Sequence, residues 1–123
     1  MVRMAIYGSG RVAEKYRDES RYVNGLEYVD TASNDEEYTQ LLDKCDAIYI
    51  QTHPRDHVRH IRQALEAGKH VLCESPIALS REDCKSLFDL AAQKKLVLMD
   101  AIVFLHIPKN KNQHFLFLFV FLR

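Results

Sequence analysis

Short apolar runs alternate along the chain with segments in which apolar residues recur at helical spacing. The runs are rich in β-branched residues and end at turn-forming residues, which is typical of buried strands. Because they do not alternate strictly between apolar and polar residues, they predict a parallel sheet that is covered on both faces. The predicted strands are Val2–Tyr7, Leu26–Ala32, Ala47–Gln51, His70–Cys73 and Leu96–Met99.

Four helices are predicted between these strands, because capping residues precede them and Gly68 suits the position after a helix end. The last helix is expected to bury Cys84, Leu87, Phe88 and Ala91. The alternation of strands and helices, joined by right-handed crossovers, predicts an α/β fold with a Rossmann-like, doubly wound sheet. The predicted helices are Arg11 to about Ser20, one that starts at Asn34 or Asp35, Asp56–Ala67, and one capped by Ser80.

The first strand runs directly into the turn Gly8-Ser9-Gly10-Arg11-Val12-Ala13. In a dinucleotide-binding turn the first glycine allows a sharp bend, the second lets the backbone approach a pyrophosphate, and a small third residue allows close helix–strand packing. The amides at the start of the helix would then face the phosphates. The same pattern also occurs in ordinary tight turns, but the strand before it and the helix after it favour binding of NAD or NADP.

The end of the second strand should carry the group that recognises the cofactor ribose. An acid about 20 residues beyond the glycines would accept the 2′-hydroxyl of NAD, and Asp30 has that spacing. The strand end is better placed at Ala32-Ser33-Asn34, none of which is acidic. Ser33 and Asn34 could accommodate a 2′-phosphate, although no arginine adjoins them. Asp30 is equally well explained as a solvated residue, so the choice between NAD and NADP stays open.

The charge balance and the cysteines exclude some classes of protein and indicate a cellular compartment. The 17 basic residues balance 17 acidic ones, which argues against a nucleic-acid or membrane-surface protein held by bulk charge. Three cysteines without CxxC spacing, and no signal-peptide pattern at the start, predict free thiols in a reducing cytoplasm. His57 and His60 share a helix face, but no local acid or cysteine completes a metal site, so none is predicted.

The chain resembles the N-terminal domain of the glucose–fructose oxidoreductase, inositol 2-dehydrogenase and MocA family. The resemblance lies in GSGRVAEKY, RYVNGLEYV, DAIYIQTHPRDHV, ALEAGKHVLCESPIALS and LVLMDA, of which AGKHVLCE-x-P is the specific part. It implies a first domain that binds NAD or NADP and a second, open antiparallel sheet that holds a sugar or polyol and forms oligomer contacts. The implied chemistry is hydride transfer between a nicotinamide and a carbon that bears a hydroxyl.

The family pattern after the fourth strand is Glu-Lys-Pro, where this chain has Glu74-Ser75-Pro76. The resemblance implies that the lysine lies near the nicotinamide, where an ammonium stabilises a developing alkoxide or helps to relay the proton. Ser75 carries no charge, so no catalytic residue is assigned and the isolated chain is expected to be inactive. The Ser75–Pro76 bond is expected to be cis. The candidate cofactor-binding residues are Gly8, Ser9, Gly10, Arg11, Val12, Ser33, Asn34, Thr52, His53, Pro54, His57, Glu74 and Ser75.

The segment from Asp35 to Cys45 has room for only one helix, whereas the family has a helix, a strand and another helix there. One βα unit of about 20 to 30 residues is therefore expected to be missing. The predicted sheet order becomes 2-1-3-4-5 in place of the six-stranded order. The switch point stays between the first and third strands, which keeps a pocket formed by Gly8, Gly10 and Thr52-His53-Pro54.

The chain after Ile107 departs from the family pattern. Phe115–Leu122 is apolar but too short to span a bilayer, which takes about 20 residues. Phenylalanine at every second position is strand spacing. We therefore predict a dinucleotide-binding domain over 1–107 and a tail over 108–123. The tail would dock as an edge strand or, like the exposed sheet, form a homo-oligomer, unless it is an artefactual end.

Two further functions stay open beside an oxidoreductase domain. One is a catalytically dead regulator that binds a dinucleotide or another protein. The other is a non-functional truncated product. Ser75 and the short chain favour these alternatives, whereas the intact AGKHVLCE segment favours the oxidoreductase lineage.

Overall fold

The structure, a computed structural model, describes residues 1–101, except the side chain of Val12. Strands and helices alternate throughout this range, as the apolar pattern predicts. In chain order they are β1 (Val2–Gly8), α1 (Arg11–Ser20), β2 (Leu26–Ala32), α2 (Asp35–Leu42), β3 (Ala47–Gln51), a 3₁₀ turn (Pro54–Asp56), α3 (His57–Glu66), β4 (His70–Cys73), α4 (Arg81–Gln93) and β5 (Leu98–Asp100).

The five strands form one parallel sheet in the order β2-β1-β3-β4-β5, so the predicted fold class and strand order are both confirmed. The chain moves outward in opposite directions from β1 and β3, which places the switch point between these two strands. Ligands of open α/β sheets bind outside the carboxyl ends of the strands at such a point.

Each face of the sheet has its own apolar core. On one face α2, α3 and α4 pack over the sheet through buried residues such as Tyr38, Ile61 and Leu87. On the other face α1 contributes Ala13 and Tyr16. Because both faces are covered, the central strands are apolar without strict alternation, and their carboxyl ends form the edge that remains open to a ligand.

Three local predictions differ from the structure. Phe88 was expected to be buried but is 41% exposed, and Cys84 is only partly buried. The predicted helix Asp56–Ala67 is shorter in the structure: Asp56 ends a 3₁₀ turn over Pro54–Asp56, and α3 itself runs over His57–Glu66. The last strand lies at Leu98–Asp100, slightly later than the predicted Leu96–Met99.

Some predictions concern parts of the chain that lie outside the described residues. These are the apolar tail at Phe115–Leu122, its docking or self-association, and the domain boundary after residue 107. Within residues 1–101, none of the helices has the length and apolar character needed to cross a membrane.

Candidate dinucleotide-binding site

Two glycines shape the turn after β1. Gly8 has a φ of +150° and lies so close to β3 that a Cβ would meet the Cβ of Gln51 at 2.8 Å and its carbonyl oxygen at 2.9 Å. Gly10 has a φ of +103°, in the region that favours glycine, and nothing lies within 4 Å of where its Cβ would be. Gly8 therefore permits close contact with the neighbouring strand, and Gly10 leaves the backbone open to the space in front of the turn.

Helix α1 starts beside this open space without a side-chain cap. Its N-cap is Gly10, whereas the side chains of Asn34 and Ser80 accept hydrogen bonds from the first turns of α2 and α4. The first amides of a helix have no partner within the helix and carry the positive end of its dipole. The adjoining cavity measures about 320 Å³ and is lined in part by Gly8, Ser9, Gly10, Arg17, Asp30 and Ser33.

A second cavity of about 480 Å³ lies along the same edge of the sheet, towards the end of β3. Gly8, Ser9 and Ser33 line both cavities, and Thr52 and His53 line the second one. Each volume falls within the ~300–1,000 Å³ that is usual for ligand sites. The structure thus brings the glycine turn, the end of β2 and the end of β3 together around one continuous edge.

The second cavity contains a hydrogen-bonded cluster centred on Asp35, the first residue of α2. Tyr7 donates its hydroxyl to Oδ1 of Asp35 at 2.6 Å, and Arg59 donates to Oδ2 at 2.8 Å. Nε2 of His60 lies 2.9 Å from Oδ1. These hydrogen bonds hold the pKa of Asp35 well below its usual range, and the one from Tyr7 has the largest effect. Burial, followed by the hydrogen bond to Asp35, raises the pKa of Tyr7 to about 12.

His60 links this cluster to the end of β3. Burial lowers its pKa, although the Asp35 carboxylate acts in the opposite direction. In the neutral ring Nε2 carries the hydrogen, because the facing carboxylate only accepts. Nδ1, 2.9 Å from Oγ1 of Thr52, then accepts from that hydroxyl. The Thr52 side chain is therefore fixed in one orientation at the cavity wall.

His57 connects the loop after β3 with the turn after β4. Its side chain is buried, with Nδ1 2.6 Å from the carbonyl oxygen of Pro76 and Nε2 2.9 Å from that of Thr52. A carbonyl oxygen only accepts, so each contact forms when the facing ring nitrogen carries a hydrogen. Both ring nitrogens are turned to the protein, so His57 would act on a cofactor through these two loops.

Ser33 follows β2 directly, and its amide is held by an acid that sequence reasoning did not single out. Oε1 of Glu37 accepts from the Ser33 amide at 2.8 Å, and Oδ1 of Asn34 accepts from the Glu37 amide at 2.9 Å. This reciprocal arrangement resembles a capping box. The signal was present in the sequence, because Asn34 is followed three residues later by a glutamate. The Asn34 side chain is thereby used as a cap.

Four further candidate residues are not among those that line the two cavities. Arg11 is exposed at the start of α1, and Pro54 opens the 3₁₀ turn. Glu74 is partly buried and its amide donates to the carbonyl oxygen of Ile50 at 3.0 Å, which joins the ends of β3 and β4. Ser75 is exposed, and its peptide bond to Pro76 is cis, as expected.

A family model described as an oxidoreductase family with an NAD-binding Rossmann fold matches residues 11–101. The chain belongs to the glucose–fructose oxidoreductase, inositol 2-dehydrogenase and MocA family. The resemblance inferred from the sequence is thereby confirmed, and the family's NAD-binding fold agrees with the edge described above.

Family relatives of known activity are similar over part of their length. A dTDP-3,4-didehydro-2,6-dideoxy-α-D-glucose 3-reductase of Actinomadura kijaniata is 40% identical over 79 residues, which are 63% of this chain and 24% of the relative. Biliverdin reductase A of Mus musculus is 53% identical over 53 residues, or 43% of this chain and 18% of the relative. The chain thus spans about a quarter or less of these relatives.

Solved structures of the family superpose on the same fold. A variant of a 3-ketoreductase from Actinomadura kijaniata, in complex with TDP-benzene and NADP, has a TM-score of 0.73 at 29% identity. The match covers 94% of this chain and 42% of that one. Biliverdin reductase from Synechocystis, in complex with biliverdin and NADP⁺, has a TM-score of 0.73 at 26% identity. That match covers 80% of this chain and 37% of the reductase.

Proposed function

We propose that this chain binds NAD or NADP along the carboxyl edge of its sheet. It would serve as the nucleotide-binding part of an oxidoreductase lineage that acts on sugars, polyols or related hydroxy compounds. The observation that carries the proposal is the turn at Gly10, where a φ of +103° and open space coincide with the uncapped start of α1. Backbone amides at such a turn bind a pyrophosphate without a Cβ in the way.

The other candidate residues fit the remaining parts of a dinucleotide. Ser33, at the end of β2, would face the adenosine ribose, while Thr52 and His53 would line the path towards the nicotinamide. His57 would hold the loop after β3 against the Glu74-Ser75-Pro76 turn. When bound, the nicotinamide would supply the hydride acceptor or donor, and this chain's residues would bind and orient it.

We further propose that this chain does not turn over substrate by itself. Ser75 stands where the family resemblance implies a lysine, and a neutral hydroxyl cannot stabilise an alkoxide as an ammonium does. The same observation favours a second candidate function, a regulator that binds a dinucleotide without performing chemistry. The two candidates share the binding step and differ in turnover.

The binding step is tested by calorimetric titration of the full chain and of Gly10→Val. The wild-type chain should bind NAD or NADP, whereas Gly10→Val should show no binding, since its side chain is strained at this φ and fills the open space. Gly68→Ala is a matched control, because Gly68 also has a positive φ and open surroundings but lies after α3, at the opposite end of β4. Equal affinity of wild type and Gly10→Val would contradict the proposal.

A further inference from the structure

His60 lies behind the wall of the second cavity with both ring nitrogens engaged. Nε2 lies 2.9 Å from Oδ1 of Asp35, and Nδ1 lies 2.9 Å from Oγ1 of Thr52. The histidine is buried, whereas Thr52 is partly exposed and lines the cavity. A change of protonation in the buried ring is therefore transmitted to the cavity through one hydroxyl group.

The packing around His60 restricts rotation of its ring. The ring centroids of Tyr7 and Tyr38 lie 4.7 Å and 5.3 Å from that of His60. Tyr38 also donates its hydroxyl to the carbonyl oxygen of His60 at 2.6 Å. Because close-packed interiors leave little room for a ring to turn, a proton gained at Nδ1 must be accommodated by the Thr52 hydroxyl that already faces it.

The titratable and charged groups that face His60 come from each neighbouring element: Tyr7 on β1, Asp35 and Tyr38 on α2, Asp56 in the 3₁₀ turn, and Arg59 on α3 itself. Burial raises the pKa of both tyrosines, which therefore keep their hydrogens. Asp35 keeps its charge because its pKa is lowered. The pKa of His60 is lowered from 6.5 by burial, so its ring is neutral at neutral pH and gains a proton in acid.

The direction of the hydrogen bond between His60 and Thr52 depends on that proton. In the neutral ring Nδ1 accepts from the Thr52 hydroxyl, which leaves the oxygen lone pairs for other donors. In the charged ring both nitrogens donate, one to the Asp35 carboxylate and the other to Oγ1 of Thr52. The hydroxyl hydrogen of Thr52 must then turn away from His60.

We infer that Thr52, His60 and Asp35 form a proton-operated switch in the cavity wall: beside neutral His60 the Thr52 hydroxyl accepts a hydrogen bond from a ligand, and beside charged His60 it donates one. The neutral state favours a ligand group that donates, such as an amide or a hydroxyl. The charged state favours an anionic acceptor. This switch goes beyond the proposed dinucleotide binding, because it belongs to the cavity whatever molecule occupies it.

The reversal is tested by following the ¹⁵N resonances of the His60 ring through a pH titration of the labelled full chain and of Thr52→Val. A hydrogen bond from a charged donor is roughly twice as strong as a neutral one. Loss of the hydroxyl therefore costs the charged ring more than the neutral ring, and the His60 midpoint should fall by about 0.5 to 1 pH unit. A hydroxyl that stayed a donor in both states would give the opposite sign, because its removal would favour the charged ring.

Thr52→Ser and the ring of His70 are the controls for this titration. Serine keeps the hydroxyl, so Thr52→Ser should keep the wild-type midpoint to within about 0.2 pH unit. Burial also lowers the pKa of His70, whose Nδ1 accepts from the Val97 amide at 3.0 Å. The His70 midpoint should therefore be the same in all three proteins.

The effect on a ligand is tested with sulfate, which stays fully ionised. Its binding is followed through the amide resonance of His53, which lines the same cavity, at about one pH unit above and below the measured His60 midpoint. Wild type should bind sulfate more tightly at the lower pH. In Thr52→Val this gain should shrink by at least about threefold, because the charged ring remains but the donor hydroxyl is gone.

Thr39→Val is the matched control for sulfate, since the Thr39 hydroxyl donates to the carbonyl oxygen of Asp35 at 3.0 Å and does not line the cavity. It should respond to pH as wild type does. The inference is overturned if the His60 midpoint is unchanged or higher in Thr52→Val, or if the ring does not titrate before the chain unfolds. It is also overturned if sulfate affinity, or its absence, responds to pH equally in wild type and Thr52→Val. Neither experiment contains a nucleotide, so their failure is distinct from a failure of dinucleotide binding.

Discussion

At the scale of single residues, His60 illustrates how the candidate site sets a protonation state. Burial lowers its pKa below the reference value of 6.5, and the hydrogen bond to Asp35 partly restores it. A histidine with a lowered pKa stabilises the fold fully above that reference value, and the contribution is lost as the pH falls below it. Acidification from neutral pH should therefore destabilise the chain through His60.

Replacement of Asp35 by asparagine tests this balance. Asp35→Asn removes the charge that raises the pKa of His60 and leaves the Arg59 guanidinium, which lowers it. We expect the His60 pKa to fall further in the variant, measured by following the ring proton resonances through a pH titration. A His60 pKa that is unchanged or higher in Asp35→Asn would show that the carboxylate does not govern this ring.

The residue scale also shows where sequence reasoning stops. The glycine turn could be located because Gly8 and Gly10 follow an apolar strand, and their backbone angles bear out the need for glycine. The hydrogen bond between Glu37 and the Ser33 amide was missed, because the Glu37 side chain must turn back across the start of α2 to form it. Spacing along the sequence pointed instead to Asp30, whose Oδ1 accepts from the neighbouring Thr31 amide.

At the scale of elements, His57 ties the start of α3 to two loops. Replacing it with leucine removes the ring nitrogens that face the carbonyl oxygens of Thr52 and Pro76. His57→Leu should lower the free energy of unfolding by about 1–3 kcal/mol, the usual effect of leaving buried polar groups unsatisfied. Urea unfolding measures this loss, and dinucleotide affinity should fall in parallel because both loops border the proposed site.

Gln63→Ala is the control on the same helix. Its side-chain amide donates to Oγ1 of Thr39 at 3.0 Å on the exposed surface, so its removal should cost less than about 0.5 kcal/mol. Equal losses from Gln63→Ala and His57→Leu would mean that His57 does not brace the loops.

The apolar pattern predicts where each strand and helix lies more accurately than it predicts the residues at which they begin and end. Buried residues such as Ile48, Ile50 and Leu65 must face the core, so they fix where β3 and α3 lie. The first and last residues of a strand or helix depend on local hydrogen bonds. Just before β5, for example, the Val97 amide donates to Nδ1 of His70. Phe88 was assigned to the core because it is large and apolar, but its position on α4 leaves it partly exposed.

At the scale of the whole molecule, strand order followed from counting the helices that fit between strands. The short segment between β2 and β3 holds only α2, which gives the order β2-β1-β3-β4-β5. This arrangement keeps the switch point beside Gly8. Substrate identity could not be predicted, because the family resemblance implies that a second, open antiparallel sheet holds the sugar or polyol.

The whole chain should show no turnover. Full-length protein mixed with NAD or NADP and a panel of sugars and polyols should form no reduced nicotinamide above a protein-free control. Ser75→Lys alone should not restore activity, because a lysine supplies a charge but no pocket for the substrate. Robust, substrate-dependent reduction by the unaltered chain would contradict the proposal of inactivity and favour a competent enzyme over a regulator.

The most direct test of the account is a titration of the isotope-labelled full chain with NAD, followed through backbone amide resonances. The account predicts saturable shifts that are largest at Ser9 to Val12 and smaller at Ser33 and Thr52. Shifts should be absent from the surface cavity between α3 and α4, which is lined in part by Arg62 and Lys85. No shifts at millimolar NAD or NADP, or shifts concentrated away from the glycine turn, would contradict it.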